Sequence, residues 1–275
     1  MKSVLMNAAW IVLVLSTAAA PSFAQLRDNS EKQMTCNDGN NGDRERHCEI
    51  REMPMPSMAR LGVETHNGGV MIKGSMRGDV LVRARVEASA NTEAAAAALV
   101  SRVSVETSGG QIKAVGPENA DNSWWSVSFE IFVPQNTDLD LKSHNGGITV
   151  SDVRGQIHFE GHNGGVHLRR LAGDVTGSTM NGGIQVDLTG AIWEGRQLDV
   201  STHNGGVDIT APPYYSAHIQ AETVSGGLHS DFPMPAVDLK TRPRKIDWNI
   251  GSGGPLIHLS THNGGINLKR DESAQ

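Results

Sequence analysis

"STHNGGVDIT", residues 201–210, carries the tetrad His-Asn-Gly-Gly, which also stands at 66–69, 144–147, 162–165 and 262–265. Self-similarity of this kind marks a repeat architecture. Alignment on the turn gives "VETHNGGVMI" from 63, "VETSGGQIKA" from 105, "LKSHNGGITV" from 141 and "FEGHNGGVHL" from 159. It continues with "GSTMNGGIQV" from 177, "VSTHNGGVDI" from 200, "AETVSGGLHS" from 221 and "LSTHNGGINL" from 259. His144 and His162 are 18 residues apart, as are His162 and Met180, whereas Met180 and His203 are 23 apart, so that coil carries a longer loop.

Each copy reads as a short alternating strand, a turn and a second alternating strand, the period-two pattern of a half-buried sheet. Asn-Gly and Gly-Gly are expected to supply the positive φ angles that tight reversals need. A single repeat cannot bury its own apolar face, so copies must stack. The predicted fold is all-β: an elongated β-solenoid of short strands with repeated Asn-Gly-Gly turns and a thin Val/Ile/Leu interior.

Successive residues in a strand face opposite ways. In "LDVSTHNGGVDI" this points Leu198, Val200, Thr202, Val207 and Ile209 inward, and Asp199, Ser201 and His203 outward. The same parity puts Leu139, Leu141 and Ser143 inside with His144 outside, and Ile257, Leu259 and Thr261 inside with His262 outside. Five histidines, His66, His144, His162, His203 and His262, therefore form a turn-flanking surface column, a possible binding face. The asparagines that follow the column, Asn67, Asn145, Asn163, Asn181, Asn204 and Asn263, are expected to stack at about 4.8 Å as an amide ladder.

The column also permits a metal reading, in which His144 and His162, about 5 Å apart, share Zn²⁺ or Cu²⁺, with Met180 and His203 as further ligands. Against it, Ser108, Met180 and Val224 interrupt the column in sequence order, and a flat row does not converge three or four ligands. No cofactor is expected. No catalytic residues are assigned either: there is no His-Glu-x-x-His or Gly-x-Ser-x-Gly, and "GSGGP" at 251 is a Gly-rich turn. The residues four after each turn Asn, among them Met71, Thr149, His167, Gln185 and Asp208, are a mixed solvated face and not a carboxylate pair.

Composition agrees with a layered β-protein: 31 glycines in 275 residues and only 4% aromatics favour many turns and narrow layers. The net charge of −6, without a basic cluster, argues against nucleic acid as a partner. Residues 1–24, with Lys2, the run "AWIVLVLSTAAA" and "PSFA", read as an export signal cut after Ala24. No transmembrane segment is expected once it is removed. Cys36 and Cys48, in "CNDGNNGDRERHC", then read as a disulfide of an exported protein. The domain plan is signal 1–24, polar segment 25–54, solenoid 55–270 and tail 271–275.

"NTEAAAAALVSRV", from Asn91, has a cap and good helix formers and predicts one short helix covering part of the solenoid. "SWWSVSFEIFVP", 123–134, predicts a strand ended by Pro134, and "APPYYSAHIQ", 211–220, a Pro-bent loop entering a strand. Trp124, Trp125, Tyr214 and Tyr215 read as caps over the core, and Arg169 and Arg170 as ordinary surface residues.

The aligned copies, with "WSVSFEIFVPQNTDLDL" from 125 and "LAGDVTGSTMNGGIQVDLTG" from 171, resemble the bacterial adhesin-like, or toastrack, domain family over residues 55–270. The resemblance implies an exported β-solenoid at the cell envelope, periplasmic or secreted to the cell surface, and carries no catalytic residues. The expected function is a non-enzymatic binding or structural module, adhesin-like, facing an envelope protein or a glycan. A Zn/Cu-binding envelope protein using the histidine column is the alternative.

Overall fold

The computed structural model describes residues 34–36, 44–118, 122–236 and 244–272, so the predicted export segment lies outside the described residues. The chain divides into Met1–Gln33 and Met34–Gln275, and the second unit holds every element below.

In chain order the unit opens with β1 (Glu45–Pro56), β2 (Arg60–Asn67), β3 (Val70–Ser75) and β4 (Asp79–Ala90). Helix α1 (Glu93–Arg102) follows, then β5 (Ser104–Glu106), β6 (Gln111–Val115) and β7 (Trp124–Pro134). Strand pairs come next: β8 (Asp138–Asn145) with β9 (Ile148–Ser151), β10 (Arg154–Asn163) with β11 (Val166–Arg169), and β12 (Ala172–Asn181) with β13 (Ile184–Asp187). The chain closes with β14 (Gln197–Asn204), β15 (Val207–Ala211), β16 (Ala217–Ser225), β17 (Leu228–Ser230), β18 (Arg244–Ile250), β19 (Leu256–Asn263) and β20 (Ile266–Arg270).

These strands form two ten-stranded sheets, ordered β1-β4-β7-β3-β9-β11-β13-β15-β20-β17 and β18-β16-β19-β14-β12-β10-β8-β2-β6-β5. Each coil gives its first strand to the second sheet, turns through Asn-Gly-Gly, or through Ser225-Gly226-Gly227 between β16 and β17, and gives its next strand to the first sheet. Neighbouring coils pair in parallel and in register, Asn163 with Asn181 in one sheet and Val166 with Ile184 in the other. The fold is an all-β solenoid, and the period-two pattern builds its core: Leu198, Val200, Thr202, Val207 and Ile209 are buried while Asp199, Ser201 and His203 face out. Thr92 caps α1 by accepting from Ala95 N at 3.2 Å, and Ala96 and Val100 bury its inner side.

Three features differ from the sequence reading. First, "VETSGGQIKA" is not a coil: β5 and β6 form an antiparallel hairpin, and β6 lies beside β2 in the second sheet. Its turn is a local reversal, with Gly109 at φ 61, Gly110 at φ 76 and Gln111 N donating to Ser108 O at 3.0 Å. Second, the coils do not stack in chain order. The chain runs from β15 to the outermost coil, β16 and β17, folds β18 antiparallel along β16, and returns to insert β19 and β20 between that coil and β14–β15.

Third, the glycines of Asn-Gly-Gly serve the close approach of neighbouring coils as well as a positive φ, which the first glycine takes at Gly68, Gly146 and Gly164 with φ 126, 158 and 156. Gly182, Gly205 and Gly264 lie outside the left-handed region, yet a Cβ on each would meet the preceding coil's glycine carbonyl oxygen at 2.1, 2.2 and 2.0 Å. Only a residue without Cβ lets the turns stack at ladder distance.

The sheet also reaches back before residue 55, because β1 pairs with β4 along its whole length from Glu45. Cys48 of β1 is disulfide-bonded to Cys36, with Cα atoms 5.6 Å apart.

Candidate functional site: a histidine-walled groove

The histidines reach one line because every strand that carries them belongs to the second sheet, in register. Reading across that sheet, the position holds His66, His144, His162, Met180, His203, His262 and finally Val224. Ser108 is absent from this line and Val224 stands at its end, so Met180 alone separates the histidines. All five histidine side chains are exposed. Their rings stack on one another: His66 on His144 with centroids 4.8 Å apart, His144 on His162 at 4.5 Å, and His203 on His262 at 4.7 Å, with interplanar angles of 6°, 20° and 11°.

Beside this column runs the asparagine ladder. Asn145 donates to Asn67 at 2.9 Å, Asn163 to Asn145 at 2.8 Å, Asn181 to Asn163 at 2.9 Å, Asn204 to Asn181 at 2.8 Å and Asn263 to Asn204 at 2.8 Å. Each internal amide therefore both donates and accepts, so the ladder is continuous along its length.

Beneath the turns lies a third column, of buried hydroxyls one residue before the histidine position. Thr202 donates to Gly182 O at 2.7 Å, Thr261 to Gly205 O at 2.7 Å, Thr223 to Gly264 O at 2.8 Å and Thr179 to Gly164 O at 3.1 Å. Ser143 bonds its own turn, at Gly146 O, at 2.8 Å. Parity places these hydroxyls inside, but for the four threonines only the stacking of turns supplies the carbonyls they satisfy. The asparagine ladder and the hydroxyl column thus tie together the backbone from which the histidines project.

Two residues before each histidine position stand Glu64, Lys142, Glu160, Ser178, Ser201, Ser260 and Glu222. The small serines, flanked by longer side chains, leave a shallow groove of about 740 Å³ over the second sheet's outer face, with the histidine column as one wall. The next row holds Asp140, His158, Thr176, Asp199 and His258.

Charge in the groove is paired locally. Lys142 Nζ lies 3.5 Å from Glu160, and Lys245 Nζ 2.8 Å from Glu222. The hydrogen bond from His158, with Lys142 alongside, holds the Glu160 carboxyl below its ordinary range. His258 Nδ1 meets Asp199 at 2.7 Å, the pairing that orients a general base, but among the described residues no hydroxyl hydrogen-bonds His258. Likewise, among the described residues no group of three His, Cys, Asp or Glu side chains is arranged to hold a metal. His144 and His162 are adjacent but stacked, and near-parallel rings set their nitrogen lone pairs side by side and not toward one point.

The aromatic residues divide. Tyr215 is fully buried and Trp125 packs against the core, its Nε1 donating to Pro117 O at 2.8 Å. Trp124 is half-buried, with the Arg46 guanidinium 5.7 Å above its ring, and Tyr214 is 62% exposed, so it caps nothing. Arg170 makes a bidentate pair with Asp152, both contacts 2.7 Å, tying two coil corners together. Arg169 pairs with Asp187 at 3.2 Å. No helix among the described residues is long and apolar enough to cross a membrane.

A family model described as Toastrack DUF4097 matches residues 28–269. Among curated proteins, none matches the chain. Similar solved structures include a candidate cell adhesion protein from Clostridium sporogenes, 14% identical, with TM-score 0.39, covering 82% of this chain and 100% of that one. A candidate adhesin from Bacteroides fragilis is 13% identical, with TM-score 0.41, covering 82% and 97%, and a candidate lipid-binding protein from Parabacteroides distasonis is 12% identical, with TM-score 0.34, covering 80% and 96%. The family match spans most of the chain, and the chain belongs to the Toastrack family.

Proposed function

We propose that this Toastrack protein is a non-enzymatic binding or structural module of the bacterial envelope, adhesin-like, periplasmic or at the cell surface, with the second sheet's outer face as its binding surface. The observation that carries the reading is the groove itself: an open trough running across the coils, walled by a histidine column that Met180 interrupts, on a backbone that the asparagine ladder and the hydroxyl column tie from coil to coil. Rigid presentation lowers the ordering cost of binding an extended ligand. The Cys36–Cys48 disulfide supports a location outside the cytosol, where such bonds persist. An envelope protein or a glycan is the partner class.

The test is retention of an envelope fraction from the producing bacterium on the immobilised protein, compared with Ser201→Trp, which fills the groove floor without touching the core. Loss of retention in the variant supports the reading, and equal retention contradicts it. The rival metal reading, with His144 and His162 as ligands, finds two nitrogens in reach of each other and no third. Calorimetric titration with Zn²⁺ and Cu²⁺ decides it, since tight binding abolished by His144→Asn with His162→Asn would favour metal.

A further inference from the structure

We infer that the groove takes an acidic glycan chain, and takes it when its histidine wall is protonated; the inference rests on the reading of the groove as a binding face. The lining contains Glu64, Glu160 and Glu222 against Lys142, a net charge of −2 with the imidazoles neutral. The five imidazoles of the wall, once protonated, bring the same lining to +3. Histidine is the side chain whose charge changes near physiological pH, so the groove repels a polyanion in one state and attracts it in the other.

The stack makes the coupling strong. Protonated rings 4.5–4.8 Å apart repel one another. A chain carrying one negative charge per repeat, laid along the wall, offsets that repulsion, so binding and protonation favour each other. Other groups around the wall do not cancel this. Asp140, Asp199, His158 and His258 lie in the next row, where His158 contacts Glu160 and His258 contacts Asp199. Lys245 and Asp247 of β18 flank Glu222, Arg244 of β18 stands beside Thr223 and donates to Gly226 O, Lys113 of β6 stands beside Glu64 and pairs with Glu106 at 3.3 Å, Arg60 pairs with Asp140 at 3.7 Å, and His167 and Asp208 lie beyond the turns on the first sheet.

A glycan fits better than a peptide or a nucleic acid. The groove runs over a sheet face, where every backbone group is already paired, so no strand can be added to it. An extended peptide repeats its same-face side chains at about 6.6–6.8 Å, out of step with rungs about 4.8 Å apart. The lining has no Trp, Tyr or Phe on which bases could stack. It does offer the hydroxyls of Ser178, Ser201 and Ser260 in one row, in the same lining as His203 and His262, a hydrogen-bonding surface matched to a hydroxyl- and carboxylate-bearing chain.

The probe is polygalacturonate, with dextran as its neutral counterpart, titrated calorimetrically into the protein at pH of about 5.5 and about 7.5. At least about tenfold tighter polygalacturonate binding at the lower pH is expected, with net proton uptake read from two buffers of different ionisation enthalpy and no dextran binding. His144→Asn with His162→Asn narrows the pH difference, and asparagine at all five wall positions abolishes it. Equal affinity at both pH values, dextran binding as tight as polygalacturonate, or an undiminished pH difference in the fivefold variant overturns the inference. If polygalacturonate stays unbound at both pH values while Ser201→Trp still abolishes envelope retention, the acidic-glycan inference falls and the binding-face reading stands.

Discussion

Gly205→Ala tests the stacking account of the turns. The added Cβ would sit 2.2 Å from Gly182 O and 2.5 Å from its carbonyl carbon, both backbone atoms that no rotamer change can move. Relief requires the two coils to part by about 1 Å at the corner, an overpacking cost of about 1–3 kcal/mol. Parting them also stretches Gly182 N to Asn204 O, now 3.0 Å, and the Asn204–Asn181 amide bond, now 2.8 Å, each worth about 0.5–1.5 kcal/mol. The expected loss is about 2–4 kcal/mol, or a fall in Tm of about 5–15 °C for a unit of this size. Gly183→Ala is the internal comparison, because its Cβ would stand 3.4 Å from Gly206 O, an ordinary contact. There the smaller entropy of the unfolded chain makes the substitution neutral or stabilising by up to about 1 kcal/mol. Denaturant unfolding of the two variants beside the parent, by circular dichroism, gives both values. Equal costs at the two positions, or a Gly205→Ala cost below about 1 kcal/mol, would refute close approach as the reason for the first glycine.

Thr202→Val keeps the volume but leaves Gly182 O without its 2.7 Å donor, so a loss of about 1–3 kcal/mol is expected in the same unfolding assay. Asn163→Asp removes the donor to Asn145 while keeping the acceptor for Asn181, and the ionised group meets Asn145 Oδ1 as acceptor against acceptor. The introduced acid is held neutral by folding, so the variant's deficit is largest above the ordinary carboxylate range and shrinks as pH falls below it, as paired melts at about pH 7 and about pH 4 would register. Asp174, Glu160 and Asp79 point the other way: hydrogen bonds from Arg196, His158 and Arg77 respectively depress each carboxyl. Their contribution is present above the unfolded carboxylate range of about 4 and is lost as pH drops through the folded values. Arg196→Ala should therefore flatten the acid limb of the stability curve slightly, with only a small change near neutral pH because the Arg196 side chain is exposed and its ion pair screened by solvent.

Much of this architecture is legible because strands alternate. "LDVSTHNGGVDI" sorts its own residues into core and surface, and the equal spacing of His144, His162 and Met180 sets their coils side by side. Stacking order is not legible, since nothing local in β16 to β20 says that the last coil will insert beneath the one before it. The hairpin at Ser108 misleads for a related reason. Ser-Gly-Gly there is a local reversal with both glycines left-handed, while the look-alike Asn-Gly-Gly carries the chain from one sheet to the other and has a positive φ only at its first glycine, in the turns of Gly68, Gly146 and Gly164. At the site, the outward histidines follow from parity, but continuity of the wall depends on the β5–β6 hairpin, which removes Ser108, and on the stacking order, which moves Val224 to the end. The groove rests on Ser178, Ser201 and Ser260, residues with no motif, which form a floor only because three coils place them in one row.

Site-specific photo-crosslinking in the producing cell tests the binding face most directly, with the crosslinker at Ser201 on the groove floor or at Gln185 on the outer face of the first sheet. The account predicts an adduct, seen as a mobility shift, from position 201 and none from position 185. Adducts from 185, or from neither position, would contradict it.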